Sequence, residues 1–247
     1  MKNLQAHICL DDSLGIRYAI LPGDPKRLDH IAKYLDNPEE LAYNREFRSL
    51  AGLYRGVPVL ALSTGIGGAS AGIAVEELKN IGVDTMVRIG SCGALQNGIQ
   101  LGDLIIANGA VRDDGASRTY GDLAFPAVPN PELMMLCVEA AKEMGYPYHL
   151  GIARSHDSFY RDDEAEISAY WAKMGVLGCD METAALFTIG GLRGVRTASI
   201  LNNVVLSNEE TAESIGAYVD GENLTMEGEK REILVALEAI YKMEQRR

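Results

Sequence analysis

The sequence predicts an α/β fold, a single domain with a central mixed β-sheet flanked by helices. Three observations carry that expectation. Short apolar runs alternate with stretches of helical periodicity along the 247 residues. Two of the runs end in glycine turns that carry an arginine, and ligands in open α/β sheets bind beyond the carboxyl ends of the strands. No Gly/Ser linker, low-complexity block or internal repeat breaks the alternation, so residues 1–247 read as one domain.

The elements follow in order. The run Tyr18-Ala19-Ile20-Leu21 is a buried strand. Asp24 can cap a helix with Pro25 at its first position, running through Leu28, Ile31 and Ala32 to residue 35. Residues 48–63 form a hairpin turning at Arg55-Gly56, with residues 57–62 as its inner strand. Gly65-Ile66-Gly67-Gly68 leads into a helix over 70–80. Residues 83–89 and 103–111 are two more buried strands. Leu133, Leu136, Cys137, Ala140, Ala141 and Met144 recur at helical spacing. A strand over 150–153, helices over 164–173 and 181–192, and a strand over 195–201 follow. The chain ends in an amphipathic helix carrying Ile233, Leu234, Leu237 and Ile240.

Bulk properties narrow the function. A hydrophobic content of 47% allows a sizeable core. The net charge of −12 argues against nucleic acid or an anionic membrane as partner, because both reward a basic surface. Cys9, Cys92, Cys137 and Cys179 form no C-x-x-C pair, which argues against a zinc site or a disulfide framework. Met1 to His7 has no signal-peptide core, and no apolar run approaches the roughly 18 residues of a membrane span. The expectation is a cytoplasmic protein.

The chemistry gathers at a few positions. Gly23-Asp24-Pro25-Lys26-Arg27 and Arg88-Ile89-Gly90-Ser91-Cys92-Gly93 each set an arginine beside bare backbone N–H groups, the makings of a phosphate site. A guanidinium at the end of a strand as apolar as residues 83–89 must be paired or bound, so Arg88 is either a structural ion pair or a ligand arginine. Gly65-Ile66-Gly67-Gly68-Ala69-Ser70 departs from a dinucleotide fingerprint at the last glycine and has no acidic residue ending the next strand. Asp180-Met181-Glu182 precedes a helical run. It serves either as a helix cap or as a carboxylate site for paired sugar hydroxyls. Phe159-Tyr160 is either core or an aromatic wall for a planar ligand.

Taken together the motifs resemble the nucleoside phosphorylases of the trimeric-to-hexameric α/β type, closest in wording to the uridine phosphorylases. The resemblance runs from about His7 to Leu201. Its markers are Leu21-Pro22-Gly23-Asp24-Pro25, Asn44-Arg45-Glu46-Phe47, Ser63-Thr64-Gly65-Ile66-Gly67-Gly68, the Arg88 to Gly93 run, Arg112-Asp113-Asp114-Gly115-Ala116-Ser117, Phe125-Pro126-Ala127-Val128 and Met181-Glu182.

The resemblance implies that Gly23, Arg27, Arg88 and Ser91 bind phosphate, with Arg45 reaching in from a neighbouring subunit. It implies that Glu182 holds the ribose 2′- and 3′-hydroxyls, that Met181 packs on the sugar, and that the neighbour's copy of His7 meets the 5′-hydroxyl. Phe159 faces the base. Glu46, Ile66 (through its carbonyl) and Ser70 match positions where uridine phosphorylases hold a monovalent cation such as K+. The implied reaction is nucleoside plus phosphate to free base plus pentose 1-phosphate. It needs no organic cofactor, and Arg88 and Glu182 carry the catalysis. The implied assembly is a homodimeric active unit within a homohexamer.

The base pocket departs from the family pattern. Asp163 and Ala165 stand where uridine phosphorylases have a glutamine and an arginine, and Val204 follows Asn203 where they have another arginine. The aspartate with which purine members protonate the base is absent there as well. Asp163 stands at the base side, and Asn202 or Asn203 is then the best remaining side-chain amide to meet a base edge, with Asn203 the choice. A uridine-like substrate is expected from motif wording. A purine nucleoside, a hydrolytic nucleosidase and a non-catalytic nucleoside sensor are the alternatives.

Overall fold

The computed structural model describes residues 4–207 and 223–247, so Met1 to Asn3 of the N-terminal segment lie outside the described residues. A 3-10 turn at Asp12–Leu14 precedes β1 (Tyr18–Pro22), α1 (Arg27–Ala32), β2 (Asp36–Asn44), β3 (Phe47–Tyr54) and β4 (Val57–Leu62). Then come α2 (Gly68–Asn80), β5 (Thr85–Ala94), β6 (Leu104–Asp113), α3 (Gly115–Tyr120) and α4 (Pro131–Glu143). The chain continues through β7 (Tyr148–His156), α5 (Glu164–Lys173), β8 (Gly178–Asp180), α6 (Thr183–Leu192), β9 (Arg196–Val205) and α7 (Asn223–Gln245).

All nine of these strands join one mixed sheet, in the order β2-β3-β4-β1-β5-β8-β7-β6-β9, with β5 also paired to β9. The extra pairing closes β5, β9, β6, β7 and β8 into a ring. β4, β1, β5 and β9 run parallel, so their carboxyl ends share one edge. Burial on both faces explains why these strands are apolar runs rather than alternating ones. Ala19, Leu21 and Met86 face the cluster that includes Ala74, Leu78, Ala185 and Ile189 of α2 and α6. Tyr18, Ile20, Val87 and Ile89 face Leu28, Leu136, Leu237 and Ile240 of α1, α4 and α7.

The structure differs from the sequence expectation at several ends. α1 begins at Arg27 rather than Pro25, because residues 24–27 form a tighter turn. Asp24 accepts from the Lys26 N–H at 2.9 Å, and the Arg27 N–H donates to the Asp24 carbonyl at 3.1 Å. β5 runs to Ala94 and β9 to Val205, each past the apolar run that announced it. β2 carries mostly exposed residues and no apolar alternation, and β8 has only three residues. Neither has a sequence signal. α3 is a single capped turn in which Asp114 accepts from the Ser117 N–H at 2.7 Å.

Candidate active site

The carboxyl ends of β1 and β4 meet beside the middle of β5, at Arg88 and Ile89, and each of the two contributes a turn. The Gly65 N–H donates to the Gly23 carbonyl at 3.0 Å, which ties the turn after β1 to the turn after β4. Parallel pairing sets Leu21 of β1 beside Arg88 of β5. Strand alternation then splits the functional side chains between the two faces of β5. Arg88 faces the α2/α6 layer, and Ser91 turns to the side of α1 and α7.

On the first face Arg88 is buried and bound to two carboxylates. Its Nε donates to Asp180 Oδ2 at 3.0 Å, and its Nη2 donates to Glu182 Oε2. The third nitrogen, Nη1, is buried without a hydrogen-bond partner among the described residues. Gly90 makes this path possible. A Cβ there would stand 2.5 Å from Arg88 Nη2 and 2.8 Å from Cζ. The guanidinium lies along its own strand over the glycine. Burial alone lowers its pKa, but the Glu182 and Asp180 charges outweigh that and the net direction is up.

Asp180 and Glu182 differ in what they bind. Asp180 accepts from the Thr183 N–H at 3.0 Å, from Thr183 Oγ1 at 2.6 Å and from Ser155 Oγ at 2.6 Å. It therefore caps the start of α6. Glu182 makes no cap bond. Its Oε1 accepts from the Gly67 N–H at 2.6 Å, and its Oε2 accepts from Arg88 and from the Met181 N–H at 3.2 Å. Gly67 has φ 89°, the left-handed region that a side chain disfavours, and this conformation aims its N–H at the carboxylate. Burial pushes the Glu182 carboxyl up, against the pull of Arg88.

On the second face Arg27 is 6% exposed and fully engaged. Nη2 donates to Ser91 Oγ at 2.6 Å and Nη1 to Glu232 Oε1 at 2.8 Å, while Nε lies 3.2 Å from Glu229 Oε2. The sequence reading missed both glutamates. Their signal was present, since they sit on the buried stripe of the C-terminal helix with Ile233, Ala236 and Leu237. An acid on such a stripe implies a buried cation elsewhere in the chain.

His7, Arg45, Glu46 and Ser70 form a separate group. His7 Nδ1 lies 2.6 Å from Glu77 Oε1, and Asn44 Nδ2 donates to the His7 carbonyl at 2.8 Å. Burial raises the Glu77 carboxyl, but N–H groups of Ile8 and His7 and the His7 ring hold it below the ordinary range. Arg45 is exposed at the β2–β3 turn with φ 56°. Ser70 Oγ donates to Glu46 Oε1 at 2.7 Å, whereas Ile66 is 78% exposed. Among the described residues no three His, Cys, Asp or Glu side chains form a metal-holding group.

The base-side expectations need correction. Asn203 is wholly buried, with Nδ2 donating to the Gln100 carbonyl at 3.1 Å and Oδ1 without a hydrogen-bond partner among the described residues, so as folded its side chain presents no surface to a base. β9 continues through this position, where the sequence suggested that the strand had ended. Asp163 is exposed at the start of α5 and its carboxylate is taken by Arg161, at 2.8 Å from both Nε and Nη2. Phe159 packs edge-on against Tyr160, with ring centroids 5.0 Å apart. A 330 Å³ groove is lined by Asp113, Arg161, Glu166, Ile167, Tyr170 and Trp171, and neither Phe159 nor Tyr160 is among its lining residues.

The chain as a whole has counterparts among known proteins. Residues 17–219 match the phosphorylase superfamily model. The chain belongs to the phosphorylase superfamily. It is 39% identical to the uridine phosphorylase of Thermococcus kodakarensis, over 97% of this chain and 86% of that one. It is 40% identical to the Escherichia coli uridine phosphorylase, over 79% and 82%. A guanosine phosphorylase of Halorubrum lacusprofundi is 37% identical over 85% and 88%. The crystal structure of a uridine phosphorylase from Vibrio fischeri superposes with a TM-score of 0.90, at 46% identity and 96% coverage of both chains. No helix among the described residues is long and apolar enough to cross a membrane.

Proposed function

We propose that this phosphorylase superfamily member converts a uridine-like nucleoside and phosphate into free base and pentose 1-phosphate. The observation that carries the reading is Arg88. It is buried and clamped between Asp180 and Glu182, with Nη1 left unanswered beside the strand end. A buried donor without a partner is costly, and an anion arriving there supplies the missing acceptor.

Phosphate is the nucleophile and co-substrate, so no Ser-His-Asp machinery and no organic cofactor are required. It attacks C1′ as the bond to the base loosens and positive charge builds on the ribose. Arg27, Arg88, Ser91 and the Gly23 backbone position the anion and stabilise the forming charge distribution. Glu182 accepts hydrogen bonds from the ribose hydroxyls, with Met181 against the sugar and Phe159 towards the base. His7 and Arg45 act in the site of a neighbouring subunit. Their shared cluster, built on the N-terminal segment and the β2–β3 turn, supports that assignment. The active unit is then a homodimer, repeated in a hexamer, and the enzyme is cytoplasmic. Glu46 and Ser70, with the Ile66 carbonyl, offer a monovalent cation a seat at the same edge.

The uridine preference rests on the names of the relatives. A guanosine phosphorylase of comparable identity favours a purine nucleoside as the second reading. A nucleoside panel assayed with and without phosphate tests both. Uridine is expected to be cleaved only when phosphate is present, with a sugar 1-phosphate as product. Base release at an undiminished rate without phosphate would establish a nucleosidase instead.

A further inference from the structure

The C-terminal helix brings two acids to the phosphate arginine. Glu229 and Glu232 of α7 are 4% and 0% exposed. Glu232 Oε1 accepts from Arg27 at 2.8 Å, while its Oε2 has no hydrogen-bond partner among the described residues. Glu229 bridges Arg27 and His30. The buried charges of one chain around Arg88 and Ser91 of β5 are Arg27 and Arg88 against Asp180, Glu182, Glu229 and Glu232, and a neighbour's Arg45 would bring the cations only to three against four. Carboxylates already outnumber the cations, so a phosphate dianion entering this set is repelled unless a negative charge is lost.

We propose that Glu232 is the proton-accepting counter-anion of the phosphate subsite, holding Arg27 in the phosphate-free enzyme and taking a proton from solvent at Oε2 when phosphate binds. The inference rests on the phosphorylase reading above. Glu232 is a positioning residue, since it touches Arg27 rather than the reacting atoms. Its environment favours protonation, so in the phosphate-free enzyme the anionic form predominates only at alkaline pH, where phosphate binding then draws in the proton. Burial is the largest influence, and with Glu229 it pushes the carboxyl up to about 8 against Arg27 and Arg88. The groups facing it are Arg27 from α1, Arg88 and the Gly90 N–H from β5, and Glu229 on α7 itself. Other polar contacts of α7 lie elsewhere: Asn202 of β9 meets Thr225, Tyr54 of β3 and Arg55 meet Glu238, and Lys242 meets Glu139 and Glu143 of α4. Tyr18 of β1 meets Glu244, and Arg231 meets the Gly102 carbonyl.

Calorimetric titration of the enzyme with inorganic phosphate, at about pH 9 in buffers of different ionisation enthalpy, tests the proposal. Wild type is expected to take up about one proton per phosphate, and Glu232→Gln clearly less. In kinetics the wild-type KM for phosphate is expected to rise about tenfold per pH unit above the Glu232 titration. The Glu232→Gln profile should be flatter, with the nucleoside KM following the same course in both proteins. Equal proton uptake in the two proteins, or parallel KM profiles, would overturn the proposal. If the variant does not fold, buffer-independent heat with wild type alone overturns it. Saturable phosphate dependence without proton uptake sinks only the Glu232 role. Turnover that ignores phosphate sinks the phosphorylase reading, and this inference with it.

Discussion

Glu182 and Asp180 sit two residues apart at the start of one helix, yet their hydrogen bonds assign them opposite jobs. Asp180 spends its oxygens on Thr183, Ser155 and Arg88, all within the fold. Glu182 makes no cap and reaches the strand-end cluster instead. Glu182→Gln is therefore expected to lower ribonucleoside kcat/KM about 100-fold, through weaker charge-assisted bonds to the sugar, while Tm moves only a few degrees. Asp180→Ala, which uncaps α6 and strands Arg88, is expected to lower Tm by about 6 °C or more, at roughly 2–4 °C per kcal/mol. A large Tm loss in Glu182→Gln with normal kinetics would reverse the assignment. Arg88 calls for a gentler change, because alanine would leave two buried carboxylates unpaired. Arg88→Lys keeps the charge and loses the planar fork. The expected cost is about 2–4 kcal/mol at the transition state, a 30- to 1000-fold drop in kcat/KM for phosphate.

β5 is the element on which the site depends, and its glycine makes the arginine usable. Gly90→Ala puts a methyl group into the space of a guanidinium that is pinned at both sides, so Arg88 has to give up a carboxylate. Activity is expected to fall at least tenfold, with the KM for phosphate affected more than that for nucleoside; unchanged kinetics would show that Arg88 has slack. The same strand explains what the sequence made legible. Its apolar half, like those of β1, β4, β6 and β9, is buried on both faces and announces itself by composition. Its polar half, through Gly93 and Ala94, looks like a turn in one dimension, because the pairing that keeps it extended comes from β8 and β9. That is also why Asn203, opposite Cys92, was mistaken for a loop residue at a base edge. β2 stayed hidden because its mostly exposed residues give no apolar period. Arg88 stood out as buried and in need of partners from local chemistry alone. The carboxylate partners of Arg27 did not, since Glu229 and Glu232 lie some two hundred positions from it in sequence.

At the scale of the whole molecule the site divides between what one chain assembles and what it holds elsewhere. Arg27 with Ser91 and Arg88 with Glu182 are held on the two faces of β5 within a single chain, whereas His7 and Arg45 both lie near Glu46 at the β2–β3 turn. If those two residues serve a neighbour in a two-fold pair, each site takes Glu182 from one subunit and Arg45 from the other. Glu182→Gln and Arg45→Ala are then complementary lesions, and neither disturbs the other's cluster. Each homo-oligomer is expected to be nearly inactive. After unfolding and refolding together in equal amounts, random pairing restores about one site in four, because only mixed pairs contain an undamaged site. Activity near a quarter of wild type, measured beside a mass or fluorescence proof of subunit exchange, supports the shared site. Proven exchange with no recovery would place Arg45 outside the partner's site, and full activity in a wild-type monomer would remove the need for a partner altogether.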